Sequence, residues 1–518
     1  MLTRPVKRPT ILSPAVASLL ALSLGTTLAG QTAKHEFQTP QEAFLYGSIG
    51  AEFMPLPVFQ VLPDLFPDQM QPGGAGAGDW IDQFGFVRSP AGTDHGLPLG
   101  FNVTKFLPKS GGNSPLPWVG FTCALCHTAV VRESEAADGV LVSGMGNPSL
   151  DLVPFGDAIK TIVLSDRMTV HNVAVAYRNK FNKSISLLDR LFISLWLSGA
   201  RKQIRTEIPL RGAPFAGSDL RNAALFPSGP ARIMAVRETV RRLVDQTPIP
   251  DGGPSKLPCL YQEERREWAQ FDGSVRDPYT RNSIAAMGVG ATAQNLRKAP
   301  MLDTIRQSYT YVASLDGPKY RDVFPGHSID RTAAERGFET YRTYCGDCHG
   351  WPGATRGTWV NGERQGQIIS LDEIGTDPER VTVRFYNDLA KLIFDYFPTG
   401  HPLKPKPGEL RPTHGYIAIP IESTFSRAPF LHNGSIATLA ELINLRPRRR
   451  VFYRGQNLFD PIDVGLLVSE SSDAYRYYRF NADERGNSNR GHDYPWPYHG
   501  PGWNEDALRD LLEYLKTL

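Results

Sequence analysis

Apolar residues recur at helical spacing in three stretches of the chain. Between Asp151 and about Val244 the pattern reads Leu187, Leu188, Leu191, Leu195, then Ile233, Val236, Val240, Leu243, one face of a 3.6-residue period. The run from Leu191 to Leu197 is denser, but Asp189 and Arg190 stand just ahead of it. It therefore predicts a buried helix rather than a membrane span. A second stretch opens at Asp330, an N-cap residue type, and runs to Tyr344, with Gly337 and Tyr341 four apart on one face. The third covers Asp506–Leu518, where Leu511 and Tyr514 lie three apart. Elsewhere the periodicity breaks down. Residues 40–115 are rich in Pro and Gly, with a flexible tract from Gly73 to Gly78, and the four prolines within Pro248–Pro258 mark a loop. The expected fold is mainly α with extensive irregular loops.

Composition adds boundaries to this picture. A length of 518 residues suggests two to four domains. Hydrophobic residues at 41% and charged residues at 21% are ordinary for a globular protein, and 48 Gly with 42 Pro agree with a loop-rich chain. The N-terminus carries a basic cluster (Arg4, Lys7, Arg8), a short apolar run from Val16 to Leu24, and small residues at Thr27, Ala29, Gly30 and Ala33. This predicts a secretory signal peptide over 1–30 and a periplasmic or secreted protein. Losing it removes those three positive charges and no negative ones, so the formal charge of +3 falls to about zero. Such a balance gives no reason to expect nucleic acid as a partner, and no later stretch is long enough to span a membrane.

Four of the five cysteines fall in two copies of one pentapeptide, Cys123-Ala124-Leu125-Cys126-His127 and Cys345-Gly346-Asp347-Cys348-His349. Cys-x-x-Cys-His is the c-type haem attachment signal. Two thiols at that spacing reach the two vinyl groups of one porphyrin, and the adjacent imidazole lies under the iron. The competing readings are a zinc half-site, which needs four ligands, and a redox dithiol, which has no use for the His. Two copies together with an export signal favour two covalently bound c-type haems, with His127 and His349 as proximal iron ligands. Cys259 is left over and is expected to be a plain buried or loop thiol. The chain then divides into the signal peptide, an N-terminal haem unit over 31–325 and a C-terminal unit over 326–518. The helices preceding the second motif and closing the chain match the crossed pair of a cytochrome c domain, so this second unit is expected to be cytochrome c-like with a long insertion.

The sixth iron position separates carrier from catalyst. The eight methionines end at Met301, so none follows the second motif. Candidates for the second iron are His401, His414, His432, His492 and His499. For the first they are Met145, Met168, His171 or an open position.

Several stretches carry a family likeness. They are Gly96-Leu97-Pro98-Leu99-Gly100-Phe101, Trp118–Thr128, Asp151–Ile159, Ile368–Asp377 (IISLDEIGTD), Arg427–Ser435 (RAPFLHNGS), Gly486–Tyr494 (GNSNRGHDY) and the final EYLKTL. Together they resemble the dihaem c-type superfamily of bacterial dihaem cytochrome c peroxidases and secreted rubber oxygenases, closer to the rubber oxygenases. The resemblance implies an oxygen-binding first haem on His127 and a second haem ligated by His349 and His492, leaving His432 a supporting role. No catalytic side chain is carried over. The expected function is an exported haem oxidoreductase that activates dioxygen or peroxide at the first haem, with the second in electron transfer. Its partners are a small redox partner or oxidant and a hydrophobic organic substrate. The alternatives are a dihaem electron carrier without its own turnover and a haem-bearing binding or assembly protein.

Overall fold

The computed structural model describes residues 37–518 except 75–77, 91–93, 212–227, 244–252, 384–385, 456, 469–477 and 495–504. The predicted signal peptide over 1–30 and His499 lie outside the described residues.

In the first half, a three-stranded antiparallel sheet leads into the first pentapeptide. Strand β1 (Met54–Pro55) and β2 (Phe101–Phe106) flank β3 (Asn113–Phe121). Helix α1 (Ala124–His127) is the motif itself, and β4 (Thr128–Val131) then pairs with β5 (Val140–Ser143). Helices α2 (Leu152–Leu164), α3 (Val170–Phe181) and α4 (Leu187–Arg211) follow, then α5 (Ala235–Leu243). Phe59, Trp80, Phe86, Phe101 and Phe155 form an aromatic core between the sheet and α2, with ring centres 5.0–6.5 Å apart. Edge-to-face contacts of this kind add to the area the rings bury.

In the second half, helix α6 (Arg331–Tyr344) starts on the Asp330 cap, whose side chain accepts from the Ala333 amide. It feeds directly into α7 (Gly346–His349), the second motif. Strand β6 (Ile368–Ser370) pairs with β7 (Gly415–Ile417), and α8 (Glu505–Thr517) closes the chain.

Helices α6 and α8 cross on the two faces that the spacing predicts. Tyr341 and Phe338 stack on Tyr514 with ring centres 4.9 and 5.2 Å apart, over a fully buried Leu511. Gly337 makes the crossing possible, because a Cβ there would lie 2.0 Å from the Asp510 carbonyl oxygen. Arg336 locks the edge through two 2.7 Å hydrogen bonds to Asp510.

Two expectations need correction. The chain is not mainly α: among the described residues about 41% are helical and 15% in strands, and the strands form seven small sheets. The signal was masked in part by Pro115 and Pro117, which argue against a strand. They are accommodated within β3 because they fall at a register shift between Thr104 and Phe106 of the partner strand, where the ladder is already broken. The second correction concerns α4. Its core-facing residues are Ile193 and Leu197, whereas Leu187, Leu188, Leu191 and Leu195 point outward. Both faces of this helix are apolar, so periodicity alone does not say which one is covered.

A Gly337→Val substitution is expected to lower stability by about 1–3 kcal/mol through the forced separation of α6 and α8, read as a fall in thermal midpoint. Gly326→Ala, where a Cβ meets nothing within 4 Å, should leave it unchanged.

Candidate functional site

One helical turn presents both thiols and the imidazole of the first pentapeptide. Cys123 and Cys126, three residues apart, fall on the same side of α1. Gly100 fits against this turn with φ +92°, and a Cβ on it would lie 2.3 Å from Leu125 Cα. The Gly-Leu-Pro-Leu-Gly-Phe stretch thus serves as a backbone brace for the motif. His127 places Nδ1 3.0 Å from the Pro258 carbonyl oxygen. That hydrogen bond fixes the tautomer and leaves Nε2 free to act as a donor atom. The second motif repeats the device, with His349 Nδ1 2.7 Å from the Ile419 carbonyl oxygen.

Burial sets the protonation of these groups. It lowers the pKa of His127 to about 4 and that of His349 below its ordinary value, so both are neutral near pH 7, the state that ligates metal. It pushes the Cys126 and Cys345 thiols up to about 12 and raises Cys123 and Cys348 as well. A redox dithiol needs a lowered thiol pKa, and neither pair has one.

His492 stands across from His349, and two separate sequence stretches combine to put it there. Gly375, in IISLDEIGTD, has φ +65°, and Gly491, in GNSNRGHDY, has φ +77°. A Cβ on Gly491 would lie 2.2 Å from the Gly375 carbonyl carbon. The two backbones meet only because residue 491 lacks a side chain, and the positive φ at both positions favours glycine. The His492 amide donates to the Ile374 carbonyl at 2.7 Å. Arg448 clamps the loop through Asn489 and Gly491 carbonyls at 2.7 and 2.9 Å and pairs with Asp493 at 3.2 Å. The result is a ring-centre separation of 6.0 Å between His349 and His492. A metal–imidazole bond is about 2 Å long, and a ring centre lies roughly 1 Å behind its nitrogen. Two imidazoles on opposite sides of one iron therefore have centres about 6 Å apart. Burial, reinforced by the neighbouring His349, lowers the pKa of His492 to about 4.

The other candidate histidines are engaged elsewhere or lie at the surface. His432 is buried with Nε2 2.9 Å from the Tyr416 hydroxyl, its ring stacked on Tyr416 at 4.1 Å. His401 spends Nε2 on the Ala293 carbonyl and Nδ1 on the Leu403 amide. His414 and His171 are exposed. Met145 and Met168 are buried in separate apolar clusters. Cys259 is buried, with Sγ 3.3 Å from the Ser426 carbonyl oxygen.

Residues 415–453 match the family described as RoxA-like, cytochrome c-like. The matched segment contains β7, the Ile419 carbonyl that orients His349, the Tyr416–His432 stack and the Arg427–Ser435 motif. The match supports reading this part of the chain as that of a c-type haem cytochrome. Two relatives come from Sinorhizobium fredii (strain NBRC 101917 / NGR234). The chain is 26% identical to "Uncharacterized protein y4iJ" over 522 residues, covering 85% of this chain and 84% of that protein. It is 30% identical to "Uncharacterized protein y4iM" over 302 residues, half of this chain and 64% of that protein.

A cavity of about 260 Å³ is lined by Cys345, Cys348, His349 and His492. Its lining also includes residues that sequence reasoning passed over. Glu263 is buried between Arg281 and Arg266, the latter at 3.2 Å. Burial pushes the Glu263 carboxyl up, but the two guanidiniums outweigh it and hold it below its ordinary pKa. Arg266 Nε, Arg281 Nη2 and Arg427 Nη2 are buried without hydrogen-bond partners among the described residues, and all three arginines line this cavity. In sequence, Glu263-Glu264-Arg265-Arg266-Glu267 looks like an ordinary solvated charge run, and no local signal marks two of its members as buried.

Replacing Arg448 with Ala removes charge-assisted hydrogen bonds worth roughly 1.5–3 kcal/mol each. Amide hydrogen exchange over 489–492 should accelerate while exchange in α6 and α8 stays unchanged.

Proposed function

We propose that this protein is an exported dihaem c-type cytochrome that works as a haem oxidoreductase, activating dioxygen or peroxide at the first haem with the second in electron transfer. The observation that carries the reading is the 6.0 Å separation of the His349 and His492 rings, beside two thiols set to take a porphyrin. The match to a cytochrome c-like family over 415–453 supports it.

The residues fit the cofactor on independent grounds. Cys123 and Cys126 would anchor one porphyrin and Cys345 and Cys348 the other, with His127 and His349 as proximal ligands and His492 as the second ligand of the second iron. The three unpartnered guanidinium donors of Arg266, Arg281 and Arg427 suit porphyrin propionates, which would otherwise bring uncompensated negative charge indoors. Bound haem supplies one-electron chemistry and a site for small oxidants. The protein's own contribution is to fix and orient. The Pro258 and Ile419 carbonyls hold the two proximal imidazoles as neutral Nδ1–H tautomers. With two imidazoles to hold it, His349 and His492, the second haem would suit electron transfer. Activation of the oxidant is accordingly assigned to the first site. Trp268, Phe271, Ile369 and Ile417 line the same cavity as the Glu263 cluster and the second motif and make part of its wall apolar. A small redox partner, a hydrophobic organic substrate and a periplasmic or extracellular location belong to the same proposal.

After expression with a working haem maturation system, the denatured protein should exceed its polypeptide mass by two haems, and C345A/C348A should retain one. In the intact protein His492→Ala should convert one haem from low to high spin by EPR, while cyanide or carbon monoxide should bind the other in the parent. A mass with no added haem ends the reading. Two haems that both refuse exogenous ligands would instead establish an electron carrier.

A further inference from the structure

Helix α4 has two apolar faces, and the protein covers one of them. Ile193, Leu197, Trp196 and Ile204 pack into the aromatic core, and the Trp196 indole N–H donates to the Phe53 carbonyl at 3.1 Å. On the outer side Leu187, Leu188, Leu191 and Leu195 are 81%, 69%, 55% and 62% exposed. At about 100° per residue these four fall within one arc roughly 100° wide, so they form a stripe and not scattered surface leucines. A contiguous exposed apolar stripe marks an interaction site.

What surrounds the stripe identifies the occupant. Past Leu195 the same side of α4 continues as Ser198, Lys202 and Arg205, all exposed, and these three line an open cleft on that half of the helix. Arg178 near the end of α3 and Lys183 in the connection are exposed as well. Residues 166–206 hold eight Lys and Arg against Asp166 and Asp189, in a chain whose whole formal excess is three. Among the described residues no helix is long and apolar enough to cross a bilayer. An apolar stripe flanked by exposed cations on a helix that does not span is the pattern of a helix lying in a lipid interface. A second copy of this face is a poor fit. Stacking two copies over the whole face in parallel sets Lys202 and Arg205 against their equivalents, and in antiparallel sets leucines against charges, so only the short leucine segment could pair.

We propose that the α3–α4 hairpin is a docking surface for a phospholipid bilayer carrying anionic headgroups, with the leucines entering the acyl boundary and Lys183, Lys202 and Arg205 meeting phosphates. The surface is separate from both pentapeptides, so it stands whatever the haem content proves to be.

Flotation of the full-length holoprotein with vesicles tests this. The parent should float with phosphatidylcholine vesicles containing phosphatidylglycerol, should remain behind with phosphatidylcholine alone, and should detach as salt rises. L188D/L191D and, separately, K202E/R205E should each weaken binding about tenfold or more, with haem content and thermal midpoint unchanged. The proposal is overturned if the parent ignores anionic vesicles, or if both variants bind as the parent does. It is equally overturned if the parent is a dimer in solution that L188D/L191D makes monomeric, which would assign the stripe to a second copy.

Discussion

The contact on which the second site depends is one of backbone against backbone. Gly491 approaches Gly375 so closely that it cannot carry a side chain, and this brings a loop from near the end of the chain under the imidazole of a motif more than a hundred residues earlier. Nothing about His492 itself would hold it there. Its amide bond to Ile374 and the Arg448 clamp on the loop carbonyls convert the glycine contact into a fixed ring position. Positive φ at both glycines costs little, whereas another residue would meet strain at either position and overlap at 491.

Charge is the second constraint. Glu263 and Arg281 are buried on the wall of the cavity that holds His349 and His492, Arg266 and Arg427 are half-buried there, and each arginine keeps one buried donor without a partner among the described residues. Burying a guanidinium donor without a partner is expensive, so an anionic group set against these donors would lower the cost of the wall. The neutral thiols and imidazoles of the two motifs make the complementary point, since burial has stripped them of charge and left them as neutral donors.

Local signals in the chain were legible where spacing and chemistry coincide. Asp330 caps the helix it was expected to cap, and Gly337 with Tyr341 meets Leu511 with Tyr514 as the i, i+3 and i, i+4 pattern implies. The small sheets escaped because their strands are short and interrupted, with Pro115 and Pro117 inside one of them. The outward leucines of α4 escaped because periodicity reports that a face is apolar, not that it is covered. Glu263, Arg266 and Arg281 escaped for a related reason: a charge run carries no mark of burial, and only the cavity formed by distant segments reveals it.

The Pro258 carbonyl that orients His127 begins a strip of backbone whose next residues, from Cys259 to Phe271, line the cavity around His349. One short segment therefore touches the imidazole of one motif and walls in the other. A change in electron density at the His127 imidazole would alter how strongly the Pro258 carbonyl is drawn in, at the head of a segment that lines the cavity around His349. On the proposed reading the two centres would not behave as isolated couples: reducing one would shift the midpoint of its neighbour.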